Sequence, residues 1–236
     1  MSKVTAIILA AGYGKRMNSA IAKQYMMLAN RPILYYTMKA FQESDIDDIV
    51  LVVGAGEVNF VIDTIVKPYQ FSKVSKVVVG GKERYHSVYE GLKAIPLCDF
   101  VLIHDGARPF VTKSLIHSIM KEVRECNACI AGVPSKDTIK IVDDLGFVKE
   151  TPKRNYVWNV QTPQAFSYPL LWDAYEKLMQ LDVIDATDDA MVIELMTEHA
   201  IRIISGNYDN IKITTPEDMP LAEAILKRIG LDKISI

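Results

Sequence analysis

Short apolar runs that alternate with stretches of helical periodicity constrain this chain more than any other feature. The runs are 4–10, 48–53, 74–79, 99–103 and 128–133. Between them, 31–43, 57–67, 85–95 and 112–125 carry apolar residues three and four apart. A run such as Ala6-Ile7-Ile8-Leu9 has no polar side, so a strand built from it must be covered on both faces. Alternation of such strands with amphipathic helices predicts βαβ units and an α/β fold, a doubly wound, mainly parallel sheet with helices on both faces. Helical patterns resume at 169–180 and 187–197, and Ile201-Arg202-Ile203-Ile204 reads as a further strand. Thr215-Pro216-Glu217-Asp218 opens a last helix, with Thr215 as N-cap and Pro216 as its first residue.

Residues 134–164 break this rhythm. Thr138-Ile139-Lys140-Ile141-Val142 and Phe147-Val148-Lys149-Glu150-Thr151 flank Asp143-Asp144-Leu145-Gly146, which reads as a hairpin with an Asp and Gly turn. The expectation is one domain over 1–236 with a β-hairpin arm inserted at about 134–164. A chain of 236 residues, half of them hydrophobic, is long enough for one large core. A net charge of −2 argues against general nucleic-acid binding, which favours a basic face. No apolar run reaches the roughly 18 residues of a membrane span, and no secretory leader pattern is present at the N-terminus. Cys98, Cys126 and Cys129 form no disulfide framework. Cys126 and Cys129 have CxxC spacing without a second pair, which fits a helix end and a buried strand better than a metal site. The expected location is cytoplasmic.

The polar residues that carry chemistry fall at strand ends, where open parallel sheets bind ligands. The run at 4–10 delivers the chain into Ala10-Ala11-Gly12-Tyr13-Gly14-Lys15-Arg16, with Lys23 close behind. Small residues allow close backbone approach, consecutive N–H groups can cradle phosphate, and the cations suit a triphosphate. The loop nearly matches the dinucleotide pattern GxGxxG, but Met17 takes the third glycine position, and no Gly-Lys-Ser/Thr follows. Alone it also reads as a tight turn with solvated Lys15 and Arg16. A second set, Gly80-Gly81-Lys82-Glu83-Arg84-Tyr85-His86-Ser87, joins a strand to a helix. In the third, His104-Asp105-Gly106-Ala107-Arg108-Pro109, Asp105 is placed to hold Mg²⁺ or a hydroxyl and Arg108 to grip phosphate, or the two form a structural ion pair. His104 reads as a satisfied strand-end histidine. Asp188-Asp189 reads as the acidic first turn of a helix rather than a metal site.

These segments occur in order with Lys23-Gln24, Asp137-Thr138-Ile139-Lys140, Arg154, Gln161-Thr162-Pro163-Gln164, Thr187-Asp188-Asp189 and Asn210-Ile211-Lys212-Ile213-Thr214. From about residue 4 to 228 the chain resembles the 2-C-methyl-D-erythritol 4-phosphate cytidylyltransferase family. The glycine loop marks only the wider nucleotidyltransferase superfamily; the ensemble is more specific. The resemblance implies a Rossmann-like sheet, CTP and a polyol phosphate as substrates, a divalent cation such as Mg²⁺, and a homodimer joined through the β-arm. It implies catalytic roles for Arg16, Lys23 and Lys212. Ala10, Ala11, Gly12, Gly14, Gly81, Ser87 and Asp105 would bind CTP, with Asp105 also near any metal. Arg108, Thr138, Arg154, Thr162 and Thr187 would surround methylerythritol phosphate, with Thr138 and Arg154 reaching a partner's site. Ala22 stands where the family commonly has proline, and Lys82 where an acid is frequent. Neighbouring readings are ribitol-5-phosphate cytidylyltransferase, which shares fold and chemistry, and a nucleotide-binding regulator without turnover.

Overall fold

The computed structural model describes residues 2–12, 17, 21–181 and 185–231. The chain runs through β1 (Val4–Ala10), β2 (Met27–Leu28), β3 (Arg31–Pro32), α1 (Ile33–Gln42), β4 (Asp48–Val53), α2 (Val58–Val61), β5 (Val74–Val79), α3 (Arg84–Lys93), β6 (Phe100–Asp105), α4 (Lys113–Cys126) and β7 (Ala128–Pro134). It continues through β8 (Ile141–Val142), β9 (Val148–Glu150), β10 (Trp158–Ser167), α5 (Tyr168–Leu178), α6 (Asp189–Met196), β11 (Arg202–Ser205) and α7 (Asp218–Arg228).

Strand β1 shows why both faces need cover. Val4, Ala6, Ile8 and Ala10 point into one core with α1, α4 and α7, packing with Leu34, Met38, Phe41, Ile116, Ile119 and Ile225. Ile7 points into a second core with α3, α5 and α6, among Val88, Leu92, Leu171, Tyr175 and Ile193. The period of two along the strand divides one apolar run between two cores. The main sheet of the described residues has the order β11-β7-β10-β6-β1-β4-β5, parallel except for β10, which is antiparallel to β6 and β7. The chain leaves β1 for β4 on one side and later returns to β6 on the other. That reversal opens a crevice beyond the carboxyl ends of β1 and β6, where such folds bind ligands. There the Gly106 N–H donates to the Leu9 carbonyl at 2.8 Å. A Cβ on Gly106 would lie 2.9 Å from that same oxygen, so only glycine lets the two strand ends meet.

The arm is shorter than the sequence suggests. Residues 158–164 belong to β10, a ten-residue strand of the main sheet. Its polar residues and proline disguised it. Pro163 sits within a register shift between Val160 and Gln164, where it interrupts no ladder pair. Gln161, Thr162 and Gln164 are buried because each side chain finds an internal partner. The hairpin itself is present as β8 and β9, its turn closed by Asp143 Oδ1 accepting from the Leu145 and Phe147 N–H groups. The last helix begins at Asp218 rather than beside Thr215. The Asp218 carboxylate accepts from the N–H groups of Thr214 and Thr215, so the acid organises the entry from inside the helix. Cys126 ends α4, Asn127 takes the left-handed cap at φ 60°, and Cys129 is buried in β7. No helix of the described residues is long and apolar enough to cross a membrane.

Candidate active site

Asp105 is the last residue of β6, so its side chain is delivered to the crevice by the most buried part of the sheet. Lys212 Nζ lies 2.8 Å from Asp105 Oδ2, Arg108 Nε 3.6 Å from the same oxygen, and Arg84 Nε 3.5 Å from Oδ1. Burial by itself would raise the Asp105 carboxyl; Arg84, Lys212 and Arg108 outweigh it and hold the group well below the ordinary carboxylate range. Arg84 opens α3 directly after the glycine pair and is shared with a second acid, donating to Asp189 Oδ2 at 2.7 Å. Burial opposes the Arg84 charge, and Asp189 and Asp105 more than compensate. Lys212 is aimed by its neighbours. The Ile213 N–H donates to the Ala107 carbonyl at 2.9 Å, and Asn210 Nδ2 donates to the Thr162 carbonyl at 2.8 Å.

Beneath Asp105 lies a hydrogen-bonded chain whose polarity is fixed at both ends. His104 is wholly buried against the Phe41 ring. Its Nε2 faces the Arg108 carbonyl at 3.2 Å, which can only accept, so Nε2 carries the proton. Nδ1 must then accept from the Thr162 hydroxyl at 3.0 Å, and that hydroxyl accepts the Asp105 N–H at 3.1 Å. Burial lowers the His104 pKa to about 3. From about pH 6.5 down to 3 the unfolded chain therefore binds a proton that the native protein does not. This contribution to stability is complete above pH 6.5 and is lost as pH falls through that window, at up to about 1.4 kcal/mol per pH unit. His104→Asn is expected to flatten the loss. Urea midpoints measured between pH 4 and 7 check this, and an unchanged slope would assign the acid sensitivity elsewhere.

Lys23 opens a 3-10 turn, Lys23–Tyr25. Its neighbours anchor that turn on both sides. Buried Gln24 donates to the Ala10 carbonyl at 2.6 Å, and the Tyr25 hydroxyl donates to Glu57 at 2.7 Å, where the Gly54 N–H also donates. Ala22 sits at φ −59°, within the range that a proline ring would impose. On the opposite wall the Ser87 hydroxyl accepts from the Gly81 N–H at 3.2 Å. A Cβ on Gly80 would strike Ala11 Cβ and Ser87 Oγ at 2.6 Å, so the two loops meet only because that position is bare.

The result is a cavity of about 530 Å³ lined by Leu9, Ala10, Ala11, Gly12, Lys23, Gln24, Gly81, Lys82, Glu83, Arg84, Ser87, Asp105, Ala107, Lys212 and Thr214. Four cations face two carboxylates in that lining, a balance suited to an anionic ligand. Of the sequence-derived site residues, Ala10, Ala11, Gly12, Lys23, Gly81, Ser87, Asp105 and Lys212 meet here. Gly14 and Arg16 lie outside the described residues. Arg108 and Thr162 sit a layer below and do not line the cavity. Arg108 donates to the Asn210 carbonyl at 2.9 Å, and the Thr162 hydroxyl is taken up by His104 and Asp105. Thr138, Arg154 and Thr187 are exposed and stand away from the lining. Sequence reading gave Arg84 no role although it stands in a quoted loop, and it missed the Asp189 partner 105 positions away. Asp188 does cap α6, accepting from the Met191 N–H at 2.8 Å, but Asp189 turns inward and is fully buried.

A family model described as IspD, 2-C-methyl-D-erythritol 4-phosphate cytidylyltransferase, matches residues 4–228. Proteins of that name from Lachnoclostridium phytofermentans and Alkaliphilus oremlandii are 52% and 53% identical to this chain over 227 and 229 residues. They cover 96% of it in both cases and are themselves covered over 97% and 96%. The crystal structure of 4-diphosphocytidyl-2C-methyl-D-erythritol synthase from Anaerococcus prevotii matches with a TM-score of 0.86 at 37% identity, over 96% of this chain and 97% of that one. The Francisella tularensis cytidylyltransferase matches with a TM-score of 0.79 at 30% identity, over 95% and 100%.

Proposed function

The chain belongs to the 2-C-methyl-D-erythritol 4-phosphate cytidylyltransferase family, and from that membership we infer that its cavity joins CTP to 2-C-methyl-D-erythritol 4-phosphate. The products are CDP-methylerythritol and pyrophosphate, in non-mevalonate isoprenoid precursor synthesis. The observation that carries the reading is Asp105 ringed by Lys212, Arg84 and Arg108 at the crevice beyond β1 and β6.

The reaction asks little covalent work of the protein. A phosphate oxygen of methylerythritol phosphate forms a bond to the α-phosphorus of CTP, the α–β bridging bond breaks, and pyrophosphate leaves with the electron pair. Catalysis then rests on alignment and on neutralising charge that builds at the α-phosphate. Lys23, at the mouth of the glycine loop, is assigned to that charge, with Arg16 in the same family role. Lys212, whose side chain is 35% exposed, is assigned to bridge nucleotide and substrate phosphates. The small residues Ala10, Ala11, Gly12 and Gly81 leave backbone groups for the cytidine, and Asp105 is left for a ribose hydroxyl or a cation. The donor set fits Mg²⁺ that arrives on the triphosphate. Such an ion needs one or two carboxylates plus phosphate oxygens, and Asp105 supplies one, while the described residues hold no cluster of three acidic, His or Cys groups. Bound there, Mg²⁺ would neutralise phosphate charge.

The arm supports a homodimer. Ile141 and Phe147 are 46% and 69% exposed in the single chain, on a two-stranded hairpin that is marginal by itself, and Tyr156 in the 3-10 turn that follows is 82% exposed. A partner's site is where Thr138 and Arg154 are assigned, because neither lines the cavity of their own chain. Free thiols at Cys98, Cys126 and Cys129 support a cytoplasmic location. The test is pyrophosphate release. Mg²⁺-dependent release is expected with CTP and methylerythritol phosphate. Equal or faster turnover of ribitol 5-phosphate would overturn the substrate, and a preference for UTP or ATP the base.

A further inference from the structure

Asp189 is a wholly buried carboxylate that the reaction does not use. It sits at the start of α6, where Gln164 Oε1 accepts from the N–H groups of both Asp189 and Ala190 at 3.0 and 3.1 Å. Its Oδ1 accepts from the Tyr175 hydroxyl at 2.6 Å, and its Oδ2 holds Arg84 at 2.7 Å. Asp189 does not line the cavity, whereas Arg84 does. The guanidinium is therefore shared between two acids, and unequally: tightly bonded to Asp189, and 3.5 Å from Asp105.

A guanidinium released from Asp189 has one acid left within reach. It would close on Asp105 with the paired geometry that arginine and carboxylate prefer. Asp105 would then lose the capacity to meet a ligand. We propose that Asp189, oriented by Tyr175, is a positioning residue: it tethers Arg84 and so keeps Asp105 available to the nucleotide. Tyr175 and Gln164 fix Asp189 from α5 and β10, so the tether rests on the rigid part of the fold and not on a loop. This rests on the reading of the cavity as a CTP site.

Asp189→Asn removes the tether's charge and keeps its shape. The KM for CTP is expected to rise roughly 10–100-fold, the usual size of an effect passed through a supporting partner. The decisive variant is Arg84→Gln combined with Asp189→Asn. It takes away the guanidinium that would occlude Asp105, so the KM for CTP should fall below that of Asp189→Asn and match that of Arg84→Gln alone, a non-additive rescue. A merely structural Asp189 would leave the double variant no better than the single one, and that outcome overturns the proposal. So does an unchanged KM in Asp189→Asn. If the single variant fails to fold, the double variant leaves no lone buried charge and carries the test through its CTP dissociation constant by calorimetry. Wild-type pyrophosphate release in the same assay reports on the CTP reading separately, so the two ideas fail independently.

Discussion

Lys23→Ala is expected to lower kcat by about 10²–10³-fold, the typical cost of losing one donor that acts on transition-state charge. The KM for CTP should change much less. Charge added at the α-phosphate during transfer is what the lysine is proposed to meet, and only interactions stronger in the transition state raise kcat. The turn that carries Lys23 is fixed by Gln24 on the Ala10 carbonyl and by Tyr25 on Glu57, so truncating the lysine leaves those anchors in place. The thermal midpoint should therefore stay near wild type. Steady-state rates at varied CTP, with a melting curve of each preparation, make the check. Near-normal kcat with only a raised KM would reduce Lys23 to a binding group.

Arg154→Ala is expected to be nearly inactive alone, as is Lys23→Ala, and a mixture of the two is expected to regain activity. In a mixed dimer, one site combines an intact Lys23 from the first chain with an intact arm from the second. The other site carries both defects. Each heterodimer should therefore recover roughly half the rate of a wild-type dimer, if the sites are independent. The structural motive is the placement of Arg154. It is exposed, its guanidinium reaches the Lys136 carbonyl at 3.4 Å, and it stands outside the cavity of its own chain. No recovery despite confirmed subunit exchange would put Arg154 to work within its own chain, or away from the site. A monomer by sedimentation at assay concentration would end the shared-site idea.

The sequence by itself determined the layered α/β plan, because the apolar runs leave no other way to bury both faces of their strands. It also placed Ala10-Ala11-Gly12, the Gly80-Gly81 loop and Asp105 at strand ends, since ligand groups in such folds gather there and those ends are marked by the runs themselves. Strand β10 was not legible. Its buried Gln161, Thr162 and Gln164 look like loop residues until Asn207, His104 and Asp188 are brought alongside to satisfy them. The same holds for the electrostatics. Local sequence shows Asp105 and Arg108 three residues apart, but only the tertiary structure adds Arg84 and Lys212 to the same carboxylate and hands Arg84 on to Asp189. A hydrophobic pattern is periodic and local, so it survives in the one-dimensional chain. The partner of a buried charge or amide is chosen by the path of the backbone, and here those partners lie up to 107 residues apart.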